Sequence, residues 1–174
     1  MTDALTFYDR MSMASDHERA VEARLRAAGM VTTRFDCFNA DPAFSAALRR
    51  TRSLIRWQPD IAAIDEHDVL GLGKTLVVEC KSSTERHKDS SNYCIEADSV
   101  HNLARHYYFE GLTPVIVWHD FRVTTLAELA EAKLYDLKPP RGTGSGTDAY
   151  LVVKAELPER FLSDGRQLNL FEAS

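Results

Sequence analysis

Apolar residues recur at helical spacing at Val21, Leu25 and Ala28, and Gly29 follows at once, so the chain predicts a first helix over roughly residues 16–28. Ser15-Asp-His-Glu18 has the form of a capping box at its start, and Gly29 is suited to end it. β-prone residues run from Val31 to Phe38, and Asp41-Pro42 opens a second predicted helix through Ala43 to Ile55. Asp60-Ile-Ala-Ala-Ile64 and Thr75-Leu-Val-Val-Glu-Cys-Lys81 read as two strands, joined into a hairpin by the turn-rich stretch between them. Ser82 to Asn92 is polar and reads as a loop, after which Asp98 or Ser99 caps a helix that runs to about Phe109 and closes at Gly111. Val115-Ile-Val-Trp118 is a further strand. A second capping box, Thr125-Leu-Ala-Glu128, opens a helix with Leu126, Leu129 and Leu134 facing inward. Beyond the Pro139–Gly146 loop, Tyr150-Leu-Val-Val153 is a last strand. This order predicts an α/β sandwich around a small mixed sheet, with one domain over residues 1–160 and a tail over 161–174.

Composition narrows the class. With 174 residues, 44% hydrophobic and 27% charged, the chain has the make-up of one globular domain. Its longest apolar stretch, Pro114-Val-Ile-Val-Trp118, is far short of the roughly 20 residues of a membrane helix. The first ten residues carry acids where a signal peptide has its basic region. Cys37, Cys80 and Cys94 show no CxxC spacing and read as reduced thiols, so a cytoplasmic protein is expected. A net charge of −5 argues against coating nucleic acid by charge alone. Locally, however, Arg49, Arg50, Arg52 and Arg56 fall in a stretch without acids, and Arg86 and Lys88 follow later. All six are candidates for phosphate-backbone contact, the plain alternative being solvated surface. Gly73-Lys74-Thr75 mimics the end of a P-loop, but a strand follows where a helix is required, so ATP binding is not expected.

The chemistry concentrates in Asp60 and Glu79-Cys80-Lys81. Alternation along a strand puts Glu79 and Lys81 on one face and Cys80 with Val78 on the other. If Asp60 shares the first face, two carboxylates converge as a hard divalent cation such as Mg²⁺ requires, and the lysine stands ready to stabilise negative charge. A surface ion pair between Glu79 and Lys81 is the plain reading of the same spacing.

With the helix containing Glu18, then Pro59-Asp60, Glu79-Cys-Lys81, the helix ending at Gly111 and the strand Pro114-Val-Ile-Val117, the sequence resembles the PD-(D/E)XK nuclease superfamily. Within it the likeness is to the archaeal-type Holliday junction resolvases, over about residues 16–119. The resemblance implies a restriction-endonuclease-like α/β/α sandwich and a metal-dependent deoxyribonuclease acting on branched DNA as a homodimer. It also implies Glu18, Asp60, Glu79 and Lys81 as catalytic residues, with Asp60, Glu79 and Glu18 as ligands of Mg²⁺ or, in its place, Mn²⁺. The segment before Asp60 is longer than in a minimal resolvase, and the part beyond His119 does not align. Near the chain end, Gln167-Leu-Asn-Leu-Phe171 resembles the pentapeptide by which bacterial replication and repair proteins bind the β sliding clamp. Gln167, Leu168, Leu170 and Phe171 would make the contacts, and the likeness implies a bacterial cell or a phage-infected host. Two alternatives stand beside the resolvase: a restriction- or repair-type nuclease of the same superfamily, and a non-catalytic adaptor or inhibitor that binds the clamp.

Overall fold

The computed structural model describes residues 7–35, 58–82, 93–110, 112–131, 134–137, 150–153 and 157–163. Helix α1 (Phe7–Ala27) begins well before the expected start. Residues 7–14 contain neither Gly nor Pro and include the good helix formers Arg10, Met11, Met13 and Ala14, so the helix runs straight through the Ser15–Glu18 signature. That capping box is therefore not a cap, because Ser15 has helix on both sides of it. The C-terminus follows expectation: the Gly29 amide donates to the Arg26 carbonyl at 2.9 Å and the Met30 amide to the Leu25 carbonyl at 3.1 Å, closing a Schellman motif. Gly29 has φ +90 and open space where a Cβ would stand. Gly29→Ala is thus expected to cost about 1 kcal/mol through backbone conformation alone. Urea unfolding tests this, and a midpoint equal to that of the wild type would refute it.

Strands β1 (Val31–Arg34), β2 (Ile61–Ile64) and β3 (Thr75–Lys81) pair antiparallel in turn, and β3 pairs in parallel with β5 (Thr113–Trp118). The crossover carries β4 (Tyr93–Glu96) and α2 (Ala97–Glu110). β6 (Val123–Thr125) turns back antiparallel on β5, giving a five-stranded mixed sheet in the order β1-β2-β3-β5-β6. Helix α3 (Leu126–Glu131) follows, then β7 (Leu134–Leu137) and β8 (Tyr150–Val153). A second, three-stranded antiparallel sheet has the order β4-β8-β7.

The α/β class read from the sequence is the class found, with three strands it did not foresee. β4 and β7 pair with the distant β8, and β6 is only three residues long. Leu134, expected on the inner face of a helix, instead opens β7, because α3 ends at Glu131. Its start does follow the second capping box: the Glu128 amide donates to Thr125 Oγ1 at 3.1 Å, and the Thr125 amide to Glu128 Oε2 at 2.7 Å. The expected helix over Ala43–Ile55 and the expected loops after Ser82 and around Pro139 fall on residues outside those described, apart from Ser82 and the loops' edges.

Two apolar cores lie on the two faces of the main sheet. Val21 and Leu25 of α1 pack with Ile61, Ala63, Leu76, Val78, Val115 and Val117. Leu103 of α2 and Leu129 of α3 pack with Val77, Ile95, Ile116 and Trp118. Strands covered on both faces read as unbroken apolar runs, which is why residues 76–78 and 115–118 show no polar alternation. The buried Trp118 indole donates to Thr124 Oγ1 at 2.8 Å. Among the described residues, no helix is long and apolar enough to cross a membrane.

Candidate active site

Alternation along β3 decides where its charges go. Cys80 packs with Leu76 and Val78 against the α1 core, and Val77 faces the α2 core, so Glu79 and Lys81 emerge on the α2 side just beyond Val77. Pairing brings in Asp60. It directly precedes Ile61, the partner of Val78, and its amide donates to the Val78 carbonyl at 2.9 Å, which sets it against Glu79. Its Oδ2 accepts a hydrogen bond from the Cys80 amide at 2.6 Å. Lys81 Nζ donates to Glu79 Oε1 at 2.7 Å and to Glu96 Oε2 at 2.6 Å.

Glu18 reaches the same end of the sheet from α1, where it forms an ion pair with Arg34 of β1. Arg34 stands opposite Ile61 in the register, one residue from Asp60, and the Glu18 charge is felt at Asp60. The fold therefore brings the sequence-derived Asp60, Glu79 and Lys81 together and places Glu18 within electrostatic range. Arg49, Arg50, Arg52, Arg56, Arg86, Lys88 and the tail residues Gln167, Leu168, Leu170 and Phe171 lie outside the described residues.

Electrostatics mark this place as short of positive charge. Burial, and then the neighbouring Glu79, push the Asp60 carboxyl well above the usual carboxylate range, against the pull of Lys81. Burial likewise raises Glu79, although the charge and hydrogen bond of Lys81 oppose it. Burial alone would lower Lys81, but Glu79, Glu96 and Asp60 outweigh it and hold the ammonium above the ordinary lysine range. Burial also lifts the Cys80 thiol well above its usual value, which keeps it protonated where it packs against the α1 core.

Among the described residues no group of three or more His, Cys, Asp or Glu side chains is arranged to hold a metal ion alone. The donor set nevertheless fits Mg²⁺, which keeps several waters and binds through one or two carboxylates. Asp60 and Glu79 are hard oxygen donors whose mutual repulsion a divalent cation would relieve.

Two members of the site were not legible in the sequence. Glu96 comes from β4, in the other sheet, and Ser99 of α2 is buried and hydrogen-bonds Glu79. No spacing signal joins either to Glu79 and Lys81. Beside the site, Tyr93 donates to Asp120 Oδ2 at 2.8 Å and His17 packs on Phe121 at 5.3 Å between ring centroids. Burial lowers the His17 imidazole, which stands 3.5 Å from the Val117 carbonyl. Phe121 has φ +66, and the Arg24 guanidinium lies 3.6 Å above its ring.

No family model matches the chain, and no curated protein matches it at a significant level. Among solved structures it is similar to the Holliday junction resolvase Hjc of Archaeoglobus fulgidus, an archaeal hyperthermophile. The two share 15% identity over 80% of this chain and 82% of that one, with a TM-score of 0.48. Similarity of that degree carries nothing about activity, which rests on the side chains.

Proposed function

We propose that this chain is a Mg²⁺-dependent DNA endonuclease that hydrolyses phosphodiesters of branched DNA, in particular four-way junctions. The observation that carries the reading is the meeting of Asp60 and Glu79 at one end of the central sheet, with the Lys81 ammonium 2.7 Å from Glu79. Two repelling, largely desolvated carboxylates beside a fully charged lysine form a costly arrangement for a merely structural role. They are well suited to hold a divalent cation against a phosphate.

In this reading Asp60 and Glu79 would hold the cation, with Glu18 as an additional ligand. Mg²⁺, when bound, supplies Lewis-acid activation of water and offsets charge on the phosphate. Lys81 stabilises the negative charge that develops on the phosphate oxygens as a water oxygen replaces one backbone oxygen at phosphorus. The Cys80 amide keeps the Asp60 carboxylate in place. Cutting two strands symmetrically calls for a homodimer, and the Gln167–Phe171 pentapeptide supports delivery by the β sliding clamp.

The test is incubation of labelled four-way junction, flap and linear duplex with Mg²⁺ or with EDTA. An Asp60→Asn preparation run alongside guards against a contaminating nuclease. Cutting only with Mg²⁺, and fastest on the junction, is expected. Equal rates on linear duplex would turn the reading to a restriction- or repair-type nuclease. No cutting by folded protein would overturn it in favour of a clamp-binding adaptor.

A further inference from the structure

Two carboxylates from different sheets share the Lys81 ammonium. Its Nζ lies 2.7 Å from Glu79 and 2.6 Å from Glu96, and the three side chains are only 16%, 8% and 21% exposed for Lys81, Glu79 and Glu96. Glu96 belongs to a different sheet, where it pairs with Tyr150 of β8. One carboxylate neutralises one ammonium. A second, itself largely buried, adds a desolvation cost.

Geometry gives it a role. Glu79 and Glu96 share the Lys81 ammonium, and Glu96 bears on Glu79 by repulsion. With a divalent cation on Asp60 and Glu79, Glu96 would still hold Lys81 from the other sheet. Without Glu96, Lys81 would compete with the cation for Glu79.

We propose that Glu96 is a positioning residue of the active site, retaining Lys81 in place when the Glu79 carboxylate turns to a divalent cation. The proposal rests on the nuclease reading but is tested apart from it. Mn²⁺ binding to the full chain is measured by calorimetry without DNA, for the wild type, Glu96→Gln and Glu131→Gln. Glu131 is exposed on α3 and controls for loss of one charge. Glu96→Gln is expected to weaken Mn²⁺ binding about tenfold, as loss of a residue that orients a ligand does, while Glu131→Gln stays close to the wild type. Single-turnover junction cleavage falls at least as far, with DNA binding unchanged.

Urea unfolding supplies a readout that needs neither metal nor activity. Glu96→Gln lowers the midpoint of the wild type, where it loses the ion pair with Lys81, but raises that of Lys81→Met, where it removes a carboxylate that repels Glu79. A glutamate acting only as packing would cost both backgrounds alike. If Lys81→Met does not fold alone, recovery of folded protein on adding Glu96→Gln is the expected result and continued failure overturns the proposal. Unchanged Mn²⁺ affinity in Glu96→Gln, an equal loss in Glu131→Gln, or the same sign in both backgrounds also overturns it. Wild type that binds Mn²⁺ but cuts no DNA overturns the nuclease reading alone, leaving Glu96 to be decided by the calorimetry. Wild type that binds no Mn²⁺ overturns both.

Discussion

Asp60→Asn is expected to leave the protein more stable than the wild type in metal-free buffer at pH 8 while removing the proposed cleavage activity. Asparagine keeps an oxygen to accept the Cys80 amide, which now lies 2.6 Å from Asp60 Oδ2. What it removes is a charge that burial and Glu79 both disfavour. The sign follows from linkage. A carboxyl raised in the folded state binds its proton more tightly there than in the unfolded chain. Its contribution is therefore favourable at low pH and is lost as the pH rises from about 4, the ordinary carboxylate value, through the folded one. At pH 8, well above the unfolded value, the wild type bears that loss and the variant does not. A gain of about 1 kcal/mol corresponds to about 2–4 °C in melting temperature for a chain of this size. The gain should shrink as the pH falls towards 4 and as Mg²⁺ is added to the wild type. Cleavage should drop about a thousandfold or more, since loss of even one stabilising donor at a reacting centre costs about 10²–10³. Thermal melts across pH, with single-turnover cleavage beside them, check both halves. An Asp60→Asn variant that melts below the wild type at pH 8, or that still cuts, would contradict the assignment.

Removing the cation of the cluster should act the opposite way. Lys81→Met leaves Glu79 and Glu96 near each other, both largely buried, with the ammonium that bridges them gone. Breaking a buried ion pair by deleting one partner costs about 3–5 kcal/mol, and the residual exposure of these side chains puts the expectation near the lower end, about 3 kcal/mol at pH 8. Lys81 is held above the ordinary lysine range, so its contribution is fully present below about pH 10 and is lost only above that. Across pH 5–8 the lysine itself therefore does not titrate, and the pH dependence of the variant comes from the carboxylates. Protonating them removes the repulsion, so the deficit relative to the wild type should narrow as the pH falls. Cleavage should be lost at every pH. Chemical denaturation at pH 5 and pH 8 decides: an equal deficit at the two values would mean that Lys81 matters for packing and not for charge.

Particular residues show how far local reading reached. Glu79, Cys80 and Lys81 were placed on their faces by alternation alone, because strand geometry is a property of neighbouring residues. Asp60 joined them through the expected hairpin of β2 and β3, which is short-range pairing. Gly29 and the Thr125–Glu128 box ended and opened helices as expected, since each satisfies backbone groups within a few residues of itself. The Ser15–Glu18 box has the same form but is overridden by the helix-forming residues on its N-terminal side, which leaves Glu18 to pair with Arg34.

The sequence by itself thus determined the α/β class and the acid–acid–lysine grouping on one strand pair, the latter from contacts short along the chain. Only the tertiary structure decided that a second sheet forms from β4, β8 and β7, that Glu96 on that sheet shares Lys81 with Glu79, and that Arg34 holds Glu18. β4 pairs with β8 across more than fifty residues. Such pairings are settled by which apolar faces find cover and which buried charges find partners, and neither is written in the spacing of any one segment.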